Sequence, residues 1–275
     1  MATRRQDRPR WWRAKNVLVP VLWVGVPPVL LYGMLTWAML DNPLSSSVDE
    51  RIVFGEVDGA EVAVVTYERH GDRSPLALPH WIGSGYDYRA TAVVTATGEP
   101  LWDVSVDYWW PQGATAPLAV GGGRVYVVVE GGLVILDAAD GARVAGPDEI
   151  DGLGSPVLEA PGAYGYDTET DQVVALTADG DVVGIPLGSE TARPVDADVL
   201  DRWGERLDTS VWAAGPDELA YDPDHPCESV SGPCAVSPAG VLVETESHAP
   251  DAEDYLETLV VGGVRTELGT QGLWG

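Results

Sequence analysis

Two cysteines are the residues whose spacing most directly suggests chemistry. Cys227 and Cys234 are the only cysteines in the 275-residue chain, and the turn-forming segment ESVSGP separates them. In an oxidising compartment we expect an intrachain disulfide that closes this small loop, worth roughly 2.5 kcal/mol in the loop-entropy model. A redox pair or a metal site, the alternatives, would favour C-x-x-C spacing or further ligands. The spacing therefore predicts a Cys227–Cys234 disulfide.

A metal site can be drawn around one histidine. His225 lies near Asp222, Asp224 and Cys227. Zinc sites carry more His or Cys ligands at closer spacing, so a solvated turn is the favoured interpretation.

A second acidic segment has a carboxylate at every other position, as the start of a calcium-binding loop does. Asp167, Glu169 and Asp171 occupy its alternating positions. The sixth position is Gln172 where such a loop needs Gly, and no clear closing Glu follows. We therefore predict no cofactor and no metal for this chain.

Nucleophilic catalysis finds little support. Ser84 stands in GSG and not in G-x-S-x-G, and the four histidines show no recognisable pairing with a nucleophile. The chain also lacks a phosphate-binding loop and a dinucleotide fingerprint. These observations lean against an enzyme, although a site dispersed over several loops would escape them.

The N-terminal region predicts a membrane anchor. Residues 17–40 contain no charged side chain, and 24 residues of helix at about 1.5 Å each exceed a hydrocarbon core of roughly 30 Å. Six basic residues precede the segment and acidic residues follow it, which favours a cytoplasmic N-terminus. Pro20, Pro27 and Pro28 predict a kink. A cleaved signal peptide is the competing interpretation, but the exit TWAMLDNPLSSS offers no good A-x-A site.

This interpretation divides the chain into four parts. We expect a basic cytoplasmic tail (1–16), a transmembrane helix (17–40) that contacts the lipid bilayer, an exposed linker (41–50) and an extracytoplasmic domain (51–275). The predicted location is therefore the cell membrane, with a single pass.

The charge distribution excludes one class of partner. The first 16 residues carry +5, so removing them from the whole-chain charge of −27 leaves −32 on the remainder. So acidic a domain repels nucleic-acid phosphates. We predict no nucleic-acid binding.

The remainder has the pattern of an all-β domain. Apolar runs of four to seven residues alternate with Gly, Asp and Pro, as in sandwiches, barrels and propellers. The dipeptide Asp58-Gly59 separates two such runs and suits a type I′ hairpin turn. Four turn glycines, Gly98, Gly141, Gly180 and Gly240, are 43, 39 and 60 residues apart, and the first two intervals match the length of a propeller blade. At about 40 to 45 residues per blade the domain has room for about five blades.

Two segments carry a family resemblance. GGGRVYVVVEGGLVILDAADGARV, residues 121–144, resembles the PQQ-type β-propeller repeat, and TATGEPLW, residues 95–102, resembles the ending of that repeat. In the family the Trp of this ending packs between blades, which implies that role for Trp102. The other copies lack this Trp, and the chain is too short for an eight-bladed quinoprotein enzyme.

The resulting expectation is a propeller-like domain of about five blades or an incomplete ring, with a two-sheet β-sandwich as the alternative. We expect a non-catalytic binding or scaffold module for a protein or cell-envelope component. A small-ligand sensor or an enzyme with a site dispersed over propeller loops is the alternative function.

Overall fold

The structure is a computed structural model, and the residues that it describes are 45–70, 86–109, 115–154, 157–209, 233–251 and 254–268. The chain divides into two compact units. The first comprises Met1–Asn42 and Gly71–Ser84, and it lies outside the described residues. All of the described residues belong to the second unit, Pro43–His70 and Gly85–Gly275.

The described chain is mostly β-structure, arranged as four antiparallel sheets of four strands each. In each sheet every strand pairs with the strand that follows it in sequence. The prediction of an all-β fold is thus confirmed. The β-sandwich alternative predicts two sheets, whereas the described residues form four.

Sheets I and II come first in the chain. Sheet I consists of β1 (Ser45–Val57), β2 (Ala60–His70), β3 (Tyr86–Val94) and β4 (Pro100–Trp109). Sheet II consists of β5 (Ala116–Gly121), β6 (Arg124–Val129), β7 (Gly132–Asp137) and β8 (Arg143–Ala145).

Sheets III and IV follow. Sheet III consists of β9 (Tyr164–Asp167), β10 (Gln172–Leu176), β11 (Val182–Pro186) and β12 (Arg193–Pro194). Sheet IV consists of β13 (Cys234–Val236), β14 (Leu242–Asp251), β15 (Asp254–Val261) and β16 (Val264–Glu267). One parallel pair, Ser45 with Tyr255, joins sheet IV to sheet I.

The hairpin turns lie where the sequence predicts them. Asp58 and Gly59 have φ of 51° and 81°, the two positive values that a type I′ turn requires. Gly141 also has a positive φ, and a side-chain carbon there would lie 2.9 Å from Cδ2 of Trp102. Only glycine therefore fits both the backbone and the packing at Gly141.

The sheets stack face to face in the order IV, I, II, III. Side chains of β2 show the principle: Val62 and Val64 pack with sheet II, whereas Ala63 and Val65 pack with sheet IV. In β6, Val125 and Val127 face sheet I, and Tyr126 and Val128 face sheet III. Burial on both faces explains why these strands are continuous apolar runs and do not alternate with polar residues.

A short helix covers the outer face of sheet III. Helix α1 (Ala197–Trp203) packs Val199 and Trp203 against Val174 of β10. Gly165 leaves room for the indole ring, which any side chain at that position would overlap. The sequence did not predict this helix, because seven residues are too few to display a helical period.

The predicted membrane location needs correction. Among the described residues the structure contains one α-helix, α1, and no helix long and apolar enough to cross a membrane. Seven residues extend only about 10 Å as a helix. Residues 17–40, where the transmembrane helix was predicted, and the tail 1–16 lie outside the described residues. The predicted single-pass location is therefore withdrawn.

The predicted linker (41–50) overlaps the first strand. Residues 45–50 form the first part of β1, and residues 41–44 lie outside the described residues. The backbone N–H of Val48 donates to Oε2 of Glu257 at 2.6 Å, and the N–H of Glu257 donates to Oγ of Ser46 at 2.7 Å. These bonds span more than 200 residues, so the local composition of the segment could not reveal them.

Trp102 connects sheets I and II. Its indole Nε1 donates to the carbonyl oxygen of Ala138 at 2.9 Å, and its ring lies in the core between the two sheets. We predict that Trp102→Phe lowers the free energy of unfolding by about 1–3 kcal/mol, because the variant leaves this buried carbonyl without its donor. Equilibrium unfolding in urea measures the change.

Leu101→Ala is the control for this prediction. Leu101 is the adjacent residue and is 39% exposed, so its truncation should alter stability by no more than about 0.5 kcal/mol. Equal effects of the two substitutions would contradict the role of Trp102.

Candidate functional site

A cluster of charged and polar side chains is buried in sheet I. It consists of Tyr67 on β2, Asp87 and Arg89 on β3, and Asp103 and Ser105 on β4; we call it the Arg89 cluster. Strand register brings these residues together, since Tyr67 pairs with Arg89 across β2–β3 and Arg89 pairs with Ser105 across β3–β4. Side chains that share a face of adjacent strands lie within contact distance.

The guanidinium group of Arg89 is the centre of the cluster. Its Nε donates to Oδ1 of Asp103 at 3.0 Å and to the hydroxyl of Tyr67 at 3.1 Å. Nη1 donates to Oδ2 of Asp87 at 3.0 Å, and Nη2 donates to the backbone oxygen of Asp103 at 3.0 Å. All three guanidinium nitrogens therefore have partners within sheet I.

Both carboxylates accept further hydrogen bonds. The Tyr67 hydroxyl donates to Asp103 at 2.8–2.9 Å, and the Ser105 hydroxyl donates to Oδ1 of Asp87 at 2.6 Å. The side chains of Arg89, Asp87 and Asp103 are only 9–11% exposed. Burying charges is costly unless they are paired and hydrogen-bonded, and this cluster meets both conditions.

Tyr67 and Arg89 have raised pKa values. Burial raises the pKa of the Tyr67 phenol far above its usual value, and the charge of Asp103 raises it further, while Arg89 opposes this by less. Burial alone lowers the pKa of Arg89, but Asp103, Tyr67 and Asp87 together outweigh it, so the pKa is raised. The phenol of Tyr67 and the guanidinium of Arg89 therefore both stay protonated at neutral pH, and their hydrogen bonds hold strands β2, β3 and β4 in register.

The predicted calcium-like segment binds an arginine. Nη2 of Arg202 on α1 lies 2.6 Å from Oδ2 of Asp167, and Nη1 lies 3.0 Å from Oε2 of Glu169. Asp171 accepts a hydrogen bond from the hydroxyl of Tyr166 at 3.0 Å. In the described part of the chain, no group of three or more His, Cys, Asp or Glu side chains is arranged to hold a metal ion.

The other predicted site residues are mostly outside the described ranges. Cys234 begins β13 and is disulfide-bonded. Cys227 lies outside the described residues, so the loop that this bond closes stays a prediction. Ser84 and His225 also lie outside them, together with Asp222 and Asp224.

Sequence reasoning did not identify the Arg89 cluster. One signal was available, because Asp87-x-Arg89 and Asp103-x-Ser105 place polar residues two apart within apolar strands. Such spacing puts both members on one face of a strand. Which strands are neighbours, and in what register, decides whether these pairs meet.

Comparison with known proteins adds little to this site. No protein-family model matches the chain, and no curated protein matches it. A solved structure of a Mycobacterium tuberculosis puromycin-hydrolyzing peptidase is similar over 74% of this chain, with 14% sequence identity and a TM-score of 0.23. The match spans 26% of the peptidase chain. At this TM-score the likeness supports no statement about fold or function.

The Arg89 cluster makes a prediction about stability. Arg89→Met retains most of the side-chain volume but leaves two buried carboxylates without their cation. We expect the free energy of unfolding to fall by about 3–5 kcal/mol, as when one partner of a buried ion pair is removed. Urea unfolding at pH 7 measures it.

Arg265→Met is the matched control, because Arg265 pairs with Glu246 while 68% of its side chain is exposed. Exposed pairs contribute about 0–1 kcal/mol. A loss below 1 kcal/mol for Arg89→Met would mean that the buried cluster is not stabilising.

Asp167 makes a prediction about pH. Burial raises its pKa, but hydrogen bonds from Thr170 and Arg202 and the charge of Arg202 lower it by more, so the net pKa is below its usual value. A depressed pKa contributes stability above the unfolded pKa of about 4, and this contribution is lost as the pH falls through the folded pKa. The stability difference between the wild-type chain and Arg202→Met should therefore be largest above about pH 5 and shrink below pH 4.

The measurement is urea unfolding from pH 7 to pH 3. The exposed Arg193 supplies the control variant Arg193→Met, whose difference from the wild-type chain should stay small throughout. A difference for Arg202→Met that does not change with pH would contradict the prediction.

Proposed function

We propose that this chain is a non-catalytic binding module whose four sheets are blades of an incomplete β-propeller, and that its partner is a protein with a basic surface. The observation that carries the proposal is the Arg89 cluster, whose charges are all engaged with one another. Such a cluster fixes the register of β2, β3 and β4 and supports a rigid module.

The arrangement of strands supports the propeller interpretation. Propeller blades are four-stranded antiparallel meanders, and each of the four sheets has this connectivity. Trp102 packs on the Ala138–Gly141 turn of the following sheet, and a Trp between neighbouring blades is what the resemblance to PQQ-type repeats implies, which supports the proposal.

The charge supports a basic partner. The chain carries a net charge of −27, and buried arginines such as Arg89 already neutralise acidic side chains inside the sheets. The excess negative charge therefore lies on the surface. A complementary positive surface would accelerate encounter and exclude acidic partners, nucleic acids among them.

The test begins with recovery of proteins bound to the tagged full chain, followed by reconstitution from purified components. We expect one basic protein to bind at a defined stoichiometry, with an affinity that falls at least tenfold between 50 and 500 mM NaCl because salt screens the opposite charges. Isothermal titration calorimetry measures affinity and stoichiometry.

The same purified chain is also incubated with pyrroloquinoline quinone and Ca²⁺ in the presence of alcohol or sugar substrates. Stoichiometric cofactor binding with turnover would overturn the proposal in favour of an enzyme with a dispersed site. An affinity that does not change with salt would contradict the proposal that the partner has a basic surface.

A further inference from the structure

Asp-Gly dipeptides lie at several turns of the structure, and this pair of residues can react with itself. The chain has four of them, at residues 58–59, 140–141, 151–152 and 179–180, and in each the glycine has a positive φ. The nitrogen of a glycine is poorly shielded, so it can attack the side-chain carboxyl carbon of the preceding aspartate and form a cyclic succinimide. The peptide group between the two residues must rotate for the ring to close. Hydrogen bonds to that peptide group therefore decide which dipeptide reacts.

Two of the four peptide groups are held through their N–H. The N–H of Gly141 donates to the carbonyl oxygen of Asp137 at 2.9 Å, and the N–H of Gly180 donates to that of Thr177 at 3.0 Å. Rotation of either peptide group breaks a hydrogen bond and removes the attacking nitrogen from its present position. These two sites are therefore protected in the folded chain.

A third peptide group is held through its carbonyl. The carbonyl oxygen of Asp151 accepts from the N–H of Ala192 at 2.7 Å. The two backbones also approach closely, since a side-chain carbon at Gly152 would lie 2.5 Å from the carbonyl oxygen of Ala192. Rotation here breaks the hydrogen bond in a confined space, so this site is protected as well.

The peptide group of Asp58-Gly59 is different. Within the described ranges neither the N–H of Gly59 nor the carbonyl oxygen of Asp58 makes a hydrogen bond. The Asp58 carboxylate is likewise without a hydrogen-bond partner in this part of the chain, and both residues are exposed. The flanking residues Val57 and Ala60 pair with each other and hold the two strands together. The central peptide group can therefore rotate while the hairpin stays intact.

The backbone of Asp58 also needs little change to reach the reactive conformation. Ring closure requires the Gly59 nitrogen to eclipse the β-carbon of Asp58, which for an L-residue occurs at ψ of about −120°. Rotation of the central peptide converts a type I′ turn into a type II′ turn, whose first central residue has φ of about 60° and ψ of about −120°. Asp58 already has φ of 51°, and it is the one aspartate of the four with a positive φ. Gly59 can adopt the negative φ that this turn requires.

The reaction needs only water as a co-reactant. A bond forms between the Gly59 nitrogen and the side-chain carboxyl carbon of Asp58, and the carboxyl hydroxyl leaves with the nitrogen's proton as water. Water then opens the ring at either carbonyl carbon. Attack at the side-chain carbonyl restores aspartate, whereas attack at the main-chain carbonyl breaks its bond to nitrogen and yields isoaspartate. The two products have the same composition, and nothing is oxidised or reduced.

We propose that Asp58 is a site of spontaneous conversion to isoaspartate in the folded protein. The product carries its free carboxylate on an exposed turn, so its chemical class makes it a substrate for an isoaspartyl methyltransferase that uses S-adenosylmethionine. Conversion adds one carbon to the backbone of the β1–β2 turn, between Val57 and Ala60. This inference goes beyond the proposed binding function and does not depend on it.

The test follows isoaspartate at all four sites in the purified full chain. One sample is kept folded at pH 6 and 37 °C, and the other is kept in concentrated guanidinium chloride under otherwise equal conditions. Proteolytic digestion with electron-transfer mass spectrometry distinguishes isoaspartate from aspartate at each position. In the folded sample we expect at least tenfold more isoaspartate at residue 58 than at any other Asp-Gly site. In denaturant the four sites should differ by less than about threefold, because the protecting hydrogen bonds are absent.

Two variants test the role of the peptide hydrogen bond. Asp58→Asn preserves the turn, because Asn-Gly is favoured in type I′ turns. Asparagine forms the same ring by losing ammonia, and it does so faster than an ionised aspartate, so isoaspartate at residue 58 should accumulate at least tenfold faster. Asp179→Asn is the matched control, since Asp179 and Gly180 are also exposed. Its conversion at residue 179 in the folded chain should be at least tenfold slower than that at residue 58 in Asp58→Asn.

Several results would overturn the inference. Equal isoaspartate at the four sites of the folded chain, or a larger amount at another site, would reject it. Accumulation at residue 58 in denaturant alone would show that the turn itself protects Asp58. Equal rates in the two asparagine variants would show that the hydrogen bond of Gly180 gives no protection. A purified isoaspartyl methyltransferase should transfer labelled methyl groups to the peptide that contains residue 58 in the aged chain, and label confined to other peptides would also reject the assignment.

Discussion

The burial of both faces of sheets I and II is the constraint on which the rest of the fold depends. Residues 62–67 of β2 and 125–128 of β6 are all fully buried. Such strands are stable only if another layer covers each face, because an uncovered face would expose a continuous apolar surface to water. Sheets IV and III supply the outer layers, and helix α1 covers sheet III in turn. The stacking of the four sheets follows from this requirement.

Polar contacts then determine how each sheet sits on the next. Between sheets II and III the Tyr126 hydroxyl accepts from the N–H of Gly188 at 2.8 Å and donates to the carbonyl of Ser189 at 2.9 Å. Between sheets I and IV, Glu61 accepts from the N–H of Ala239 at 3.1 Å. Apolar packing is not directional, whereas hydrogen bonds fix orientation and register. The two kinds of contact together specify one arrangement of the layers.

The Arg89 cluster connects this architecture to the proposed function. The carboxylates of Asp87 and Asp103 are held by arginine, tyrosine and serine within sheet I, so they contribute to the positions of β3 and β4. The acidic side chains on the surface do not belong to this cluster. An interior with fixed charges and an exterior with excess negative charge are properties expected of a rigid module that recognises a basic protein.

The sequence by itself determined the all-β class and the position of most hairpins. Turns such as Asp58-Gly59 depend on the local preference of two residues for positive φ, and that preference is readable without knowledge of the fold. The short strands β9 and β12 and helix α1 were missed, because each is too brief to show a period. The start of β1 at Ser45 was also missed, since this part of the strand is held by bonds between Ser46, Val48 and the distant Glu257. The meeting of Arg89 with Asp103 was decided only by the tertiary structure. Strand register and sheet stacking depend on contacts between residues distant in sequence, and no local pattern encodes them.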